Sequence, residues 1–345
     1  MGERWVWYLG FVRKIPSIIL LIACALSNLS AFDSQHHQLY EDAFNEIKRM
    51  LENKQTHSFK RAVFVVENTY LKGQLDYNNF CNELGDIAGK LKQFVIRKNI
   101  QHYKIAMNYA AFSFITDSIP ENNFQPCIYD FDDFHGIENY ESIFVTKLLR
   151  TKSGNCHSLP YFYKLLCDEV GAEAFLAIAP NHVYIKHKDE YGKWVNIELT
   201  NGSSPRDQWM IQQMNISAEA IRSGAYMEPL SKLQELSACL FDLALGYKTQ
   251  FGCDDFYFVI VNEGLKYYPH SIELTSQKAD YHVAMVEKAK TERDLSKAKY
   301  HYEQYQQLSK RMTELGYREE TPEQYEQWVN SVEEEKARKA KLAAK

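Results

Sequence analysis

Beyond residue 33, apolar residues recur at spacings of three and four: Leu39, Ala43, Phe44, Ile47 and Leu51, then Ala62, Val65, Val66 and Tyr70. That period lines up one face of a helix, so residues 36 to about 115 read as helices, with further segments around Phe80 to Val95 and Tyr103 to Phe114. Glu and Lys between the apolar positions form a solvated face, and no catalytic spacing occurs among them. The pattern breaks over residues 117 to 139. There Pro120, Asn122, Asn123 and Pro126 lead into Tyr129-Asp130-Phe131-Asp132-Asp133-Phe134-His135-Gly136, an ordered loop by its turn formers. A helix from about Glu138 to Leu149 is predicted next, and another over the apolar run Tyr161 to Leu166, ending at the favoured C-cap Gly171.

The period then shortens to that of strands. Ala174 to Ile178, His182 to His187 and Trp194 to Leu199 read as three strands, the last two joined by Asp189-Glu190-Tyr191-Gly192. Val183 and Ile185 fall on one face, as do Val195, Ile197 and Leu199; His182, Tyr184, Asn196 and Glu198 fall on the other. Helical periodicity returns from Ser231, in Leu233 to Tyr247, Asp255 to Tyr267, Ile272 to about Lys290 and a polar segment from Asp294 to Leu315. Glu333 to Lys345 is a charged tail.

The chain has 345 residues, 45% hydrophobic and 25% charged, with 15 Gly and 9 Pro, which describes a folded, helix-rich protein and excludes disorder. A net charge of −5 supplies no basic field, so nucleic acid is excluded as a partner. At the N-terminus, Arg4, Arg13 and Lys14 precede the short apolar stretch Ile15 to Leu26, an export signal too short for a comfortable membrane span. Leu21-Ile22-Ala23-Cys24 resembles a bacterial lipoprotein box, which makes Cys24 the lipidated residue of a membrane-anchored envelope protein. Ala23-Cys24-Ala25 also fits ordinary cleavage, with a periplasmic or secreted product. The seven cysteines show no CxxC pair and no regular spacing, so neither a zinc module nor a dense disulfide framework is indicated. With Cys24 removed and Cys156 reserved as a free thiol, five remain, and at least one of those is unpaired within the chain.

Cys156 carries the candidate chemistry. In Ser153-Gly154-Asn155-Cys156-His157-Ser158-Leu159-Pro160, Pro160 is tolerated only in a first helical turn, so Cys156 sits at or just before a helix start. Unpaired N–H groups and the positive dipole end there favour a thiolate and an oxyanion. Pairing the last two strands with Val183 opposite Ile197 and Ile185 opposite Val195 sets His182 directly opposite Glu198, Cβ atoms roughly 5 Å apart. Cys156, His182 and Glu198 then form a nucleophile, base and orienting acid, with Asn196 as an alternative orienting group and Asn155 as a side-chain oxyanion donor. His157 flanks the nucleophile, His187 lies at the far end of its strand on the other face, and His135 stays open as a base. Asp130, Asp132 and Asp133 lack the spacing of a Ca²⁺ loop and read as turn acids. The residues call for no metal and no cofactor.

On Gly154-Asn155-Cys156, Asn181-His182-Val183-Tyr184 and Trp194-Val195-Asn196-Ile197-Glu198-Leu199-Thr200, residues 140 to 205 resemble the transglutaminase-like superfamily. Two positions depart from its pattern: Glu198 stands for Asp and Leu199 for Pro. The resemblance implies an α+β fold in which a papain-like transglutaminase core, a helix bearing Cys plus an antiparallel sheet, is flanked by N- and C-terminal helical regions. It divides the chain into a signal peptide (1–24), a helical N-terminal domain (33–120), the core (121–228), helical hairpins (229–320) and a charged helical tail (321–345). Ala244, Gly246-Tyr247, Gly264 and Tyr268-Pro269 loosely resemble tetratricopeptide repeats, implying a surface for a protein partner. The implied activity is cysteine acyl transfer on a peptide or protein substrate, by hydrolysis or to an amine, with Trp194 and Tyr184 contacting substrate. A non-catalytic peptide-binding module is the alternative.

Overall fold

A computed structural model describes residues 34–133, 136, 138–319, 334 and 336–338. The export signal with Cys24, His135 and nearly all of the tail lie outside the described residues.

Helix α1 (34–51) is followed by α2 (Phe59–Tyr70), α3 (Tyr77–Lys98) and α4 (Ala106–Thr116). Their starts follow from capping side chains: Ser58 accepts from Arg61 N and Asp76 from Asn79 N. The loop after α4 contains β1 (Ile128–Tyr129), and α5 (Val145–Thr151) then leads to β2 (Ser153–Gly154), which pairs parallel to β1. The helix expected from Glu138 to Leu149 is instead a 3-10 turn, Tyr140–Ile143, followed by α5. The restart has a cause in α2. The buried Glu67 carboxylate accepts from Val145 N at 2.7 Å and Thr146 N at 2.9 Å, capping a new helix where the old one would have continued.

Helix α6 (Ser158–Val170) ends at Gly171, whose φ of 72° only glycine adopts without strain. Strands β3 (Phe175–Ala179), β4 (His182–Lys188) and β5 (Trp194–Ile197) form an antiparallel sheet in that order. Two short helices, α7 (Asp207–Gln213) and α8 (Ala218–Ser223), precede the long α9 (Lys232–Phe251), α10 (Asp255–Tyr267), α11 (Ile272–Thr291) and α12 (Leu295–Leu315). Helix α9 opens on a capping box in which Ser231 and Gln234 satisfy each other's backbone N–H.

Two expectations are corrected by this architecture. Twelve helices among the described residues carry the fold, whereas the sheets consist of three short strands and a two-residue pair, so a transglutaminase-like core is not its basis. The tetratricopeptide resemblance is overturned with it. A side chain at Gly246 would meet Tyr140 at 3.2 Å, Tyr40 at 3.3 Å and Tyr70 at 3.4 Å, so this small residue lets α9 approach the N-terminal aromatics and not its hairpin partner α10.

The expected helical regions also share a core. One hydrophobic cluster includes Tyr40, Phe64 and Leu91 from the N-terminal helices, Phe162 and Leu166 of α6, Ile185 of β4, and Leu240, Ile260 and Tyr281 of α9 to α11. Helix α9 packs on α2 as well as on α10. A smaller cluster around Tyr184 and Met210 lies under α7 and α8 and is closed by Leu315. There Ser217 Oγ donates to Gly316 O at 2.7 Å, and a Cβ at Gly316 would come within 2.2 Å of Ala220 N. With φ also at 99°, Gly316→Ala is expected to lower the melting temperature by several degrees, from roughly 1–3 kcal/mol of overpacking; an unchanged melting curve would contradict this close approach.

Candidate functional site

The nucleophile turn is built by its neighbours in sequence. Asn155, only 1% exposed, turns its Oδ1 to accept from His157 N at 3.0 Å and Ser158 N at 3.1 Å, while Ser158 Oγ accepts from Asn155 N at 3.0 Å. Asn155 thus caps the start of α6 through its Oδ1, holding the two N–H groups that follow Cys156. The Cys156 N–H makes no hydrogen bond among the described residues, which leaves it as a donor at the start of α6. Gly154 is required by the same packing: a Cβ there would sit 2.7 Å from Ser158 Oγ and 3.0 Å from Leu148. Asn155→Ala should cost about 0.5–2 kcal/mol as a lost cap, read as a lower denaturation midpoint; a stability equal to the parent's would discount the capping role.

A two-residue turn, Pro180-Asn181, joins β3 to β4 and makes His182 the first residue of its strand, paired with Ala179. Asn181 takes the left-handed conformation at φ 53°, and its carbonyl lies 4.0 Å from Cys156 Sγ. The Cys156 thiol is among the groups that raise the pKa of the His182 imidazole. His182 Nε2 lies 2.5 Å from Glu198 Oε2, which leaves Nδ1 for the sulfur. Glu198 Oε1 accepts from Thr200 N at 2.9 Å and Thr200 Oγ1 at 2.7 Å, so both carboxylate oxygens are occupied.

The register between the strands is two residues away from the one expected: Ile185 opposes Ile197, and Val195 opposes His187. A two-residue slip preserves which side chains share a face, since the side-chain period is two. His182 therefore meets Glu198 diagonally and not directly across. Strand β5 ends at Ile197, and Glu198 pairs with Ser203, turning the chain back at that point.

Glu198 is buried and His182 partly so. Burial opposes the charged form of His182, but the Glu198 carboxylate and the hydrogen bonds to Cys156 and Glu198 outweigh it and push the imidazole up to about 10. Burial likewise works against ionised Glu198, and the His182 charge with the Thr200 hydrogen bonds holds its carboxyl below the ordinary carboxylate range.

Other expected site residues go elsewhere. Asn196 Nδ2 donates to Pro205 O at 3.0 Å and Asp207 Oδ1 at 2.7 Å, so it ties down the segment after β5 instead of orienting His182. Tyr184 is fully buried in the small cluster beneath α7 and α8, out of reach of a substrate. Trp194 is 45% exposed but sits opposite Lys188, six residues along β4 from His182 and so roughly 20 Å away; its ring meets Phe175 and Lys188. His187 is buried, faces Lys188 O at 2.9 Å, and burial lowers its pKa. The acidic loop is structural: Asp130 pairs with Lys147 at 2.7 Å, and Asp133 accepts from Asn139 N and Ser142 Oγ, both at 2.9 Å. Among the described residues no cluster of three or more metal-ligating side chains occurs, and all six described cysteines are free thiols.

Tyr129 and Asp242 were missed in the sequence. Tyr129, on β1 beside the nucleophile strand, is largely buried, and its phenol is pushed up by burial and by the neighbouring Cys156 and Glu198. A two-residue strand carries too little alternation to be read. Asp242 lies on α9 and accepts from His157 Nε2 at 2.9 Å, 85 residues away in sequence, a separation that no local pattern reports.

No protein-family model and no curated protein matches the chain. Among solved structures, it is similar to menin, in a crystal structure described as revealing the binding site for the Mixed Lineage Leukemia protein. The TM-score is 0.34 and the identity 13%, over 76% of this chain and 70% of that one.

Proposed function

We propose that the protein is a cysteine hydrolase of peptide or carboxamide bonds. The observation that carries the reading is the His182–Glu198 pair at 2.5 Å, with the Cys156 thiol among the groups that act on the imidazole. Three groups of a nucleophilic relay stand in contact order, each with one role. His182 rests as the imidazolium that holds the proton given up by Cys156, the Cys156 thiolate bonds to the substrate carbonyl carbon, and the Cys156 N–H donates to the oxyanion that forms. Collapse breaks the C–N bond, His182 returns the proton to the leaving amine, and an acyl-thioester remains. Water, deprotonated by His182, then adds to the thioester carbonyl, releasing the acid and restoring the thiol. Glu198, anchored by Thr200, keeps Nε2 protonated and aimed away from the sulfur. Hydrolysis is preferred to amine transfer because the half-exposed turn admits water and nothing beside it marks an amine-binding pocket.

The test is chemical. Purified protein incubated with p-nitrophenyl acetate is expected to acetylate Cys156, located by peptide mass spectrometry, and to release nitrophenol in a burst. His182→Ala should abolish both. A Cys156 no more reactive toward iodoacetamide than a model thiol below neutral pH, together with a silent His182→Ala, would leave a non-catalytic peptide-binding module as the reading. The export signal in residues 1–24 belongs to the same proposal, acting at the cell envelope. Metabolic palmitate labelling lost in Cys24→Ala supports a lipid anchor, and absence of label from the parent protein removes it.

A further inference from the structure

Both ring nitrogens of His157 face acceptors: Nδ1 lies 3.0 Å from Ile143 O, and Nε2 lies 2.9 Å from Asp242 Oδ1. A neutral imidazole has one donor and one acceptor nitrogen and cannot satisfy both contacts; an imidazolium satisfies both. The second Asp242 oxygen accepts from Tyr161 Oη at 3.0 Å, and the Asp242 carbonyl accepts from Tyr140 Oη at 2.7 Å. The Tyr161 ring lies against the imidazole with centroids 4.0 Å apart. This buried assembly follows Cys156 by one residue and joins its turn to α9. The groups facing His157 from the surrounding elements are Glu67 of α2, Tyr140 and Ile143 of the 3-10 turn, Tyr161 of α6, and Cys239 and Asp242 of α9, with Cys156 beside it.

We propose that Asp242 is a positioning residue for Cys156: through the His157 imidazolium it clamps the nucleophile turn onto α9 and holds a buried positive charge one residue from the sulfur. Burial opposes that charge, but Asp242 and the Ile143 carbonyl overcome it, and the His157 pKa is raised. The clamp gives α9 a part in the chemistry and not only in packing. It rests on the reading of Cys156 as the nucleophile, and the two can fail separately.

The experiment is the pH profile of Cys156 alkylation by iodoacetamide, followed on the Cys156 peptide by mass spectrometry in the full-length protein. Asp242→Asn is expected to slow alkylation about tenfold near pH 6 and to move the midpoint of the profile to higher pH, the equivalent of about one pKa unit. Tyr161→Phe removes a buried hydrogen bond to the same carboxylate but leaves the His157 contact, so it should lower the melting temperature while keeping the profile within about twofold. If Asp242→Asn changes only the melting temperature while His182→Ala shifts the profile, the clamp is overturned and the hydrolase reading stands. If Asp242→Asn shifts the profile and His182→Ala does not, the clamp stands and the hydrolase reading falls. Should Asp242→Asn not fold, imidazole ¹⁵N resonances of the parent protein decide: both His157 nitrogens protonated at neutral pH supports the clamp, and a neutral tautomer there overturns it.

Discussion

Glu198→Asp, ordinarily a mild replacement, is expected to disable the site almost as fully as Glu198→Ala. The paired ladder stops at Ile185 and Ile197 and the chain turns at Glu198, so the carboxylate reaches His182 across a diagonal, a separation of roughly 7–8 Å between Cα atoms in regular sheets. The extra methylene of Glu supplies about 1.5 Å of reach across that diagonal, and the carboxylate arrives at 2.5 Å from His182 Nε2. Aspartate on the same backbone falls short, and His182 loses the partner that fixes its tautomer. Nucleophilic reactivity of Cys156 is expected to drop by at least tenfold in Glu198→Asp. Glu198→Ala, which strands a buried imidazolium, should also cost about 3–5 kcal/mol of stability. Iodoacetamide kinetics and urea denaturation measure the two effects. An Asp variant with parental kinetics would show that the diagonal is not what demands Glu.

The second large effect is on stability as a function of pH. His182 is raised from 6.5 to about 10 on folding, so its contribution is complete below about 6.5 and is lost as pH climbs through about 10. Glu198 is lowered from 4.5, so its contribution is complete above that value and is lost as pH falls through its folded pKa. The pair therefore stabilises most between about 4.5 and 6.5. Glu67, Glu235 and Glu273 act in the same sense as His182: burial raises each from 4.5 to about 7, so the stability they lend at acid pH is lost as pH rises through about 7. The melting temperature is expected to fall continuously from about pH 6 to pH 10. In Glu198→Gln the decline above about pH 8 should flatten, because the buried carboxylates have by then largely titrated and the His182 contribution is reduced. A parent protein equally stable at pH 6 and 9.5 would refute the assignment.

How far the sequence reveals this molecule depends on the range of each interaction. Helix starts are local, and residues such as Ser231 with Gln234 or Asp254 before Asp255 announce them. The faces of β4 and β5 are legible for a similar reason, since alternation alone places His182 with Glu198 and Ile185 with Ile197. Register is another matter. A slip of two residues leaves every side chain on its face, so the pattern that reveals the faces is blind to it. The turn between the two strands fixes the offset, where Asp189 N donates to Lys193 O at 2.7 Å in step with Lys188 opposite Trp194. Least legible are contacts that span the chain: Glu67 capping α5 across 78 residues, and Asp242 reaching His157. Trp194 shows the opposite error, a residue assigned to the site from its place in a motif although the strand carries it to the far end of the sheet.

The distance in sequence between His157 and Asp242 also sets an order of events during synthesis. At a translation rate of about 5–20 residues per second, the 85 residues between them take roughly 4–17 s to appear. In the second half of that interval the turn bearing Cys156, the strand bearing His182 and the following Glu198 exist without a complete α9, and the cluster shared by α2, α6 and α9 is unclosed. A nascent chain arrested after residue 198 and before residue 242 thus carries Cys156, His182 and Glu198 but lacks the Asp242 carboxylate that pairs with His157.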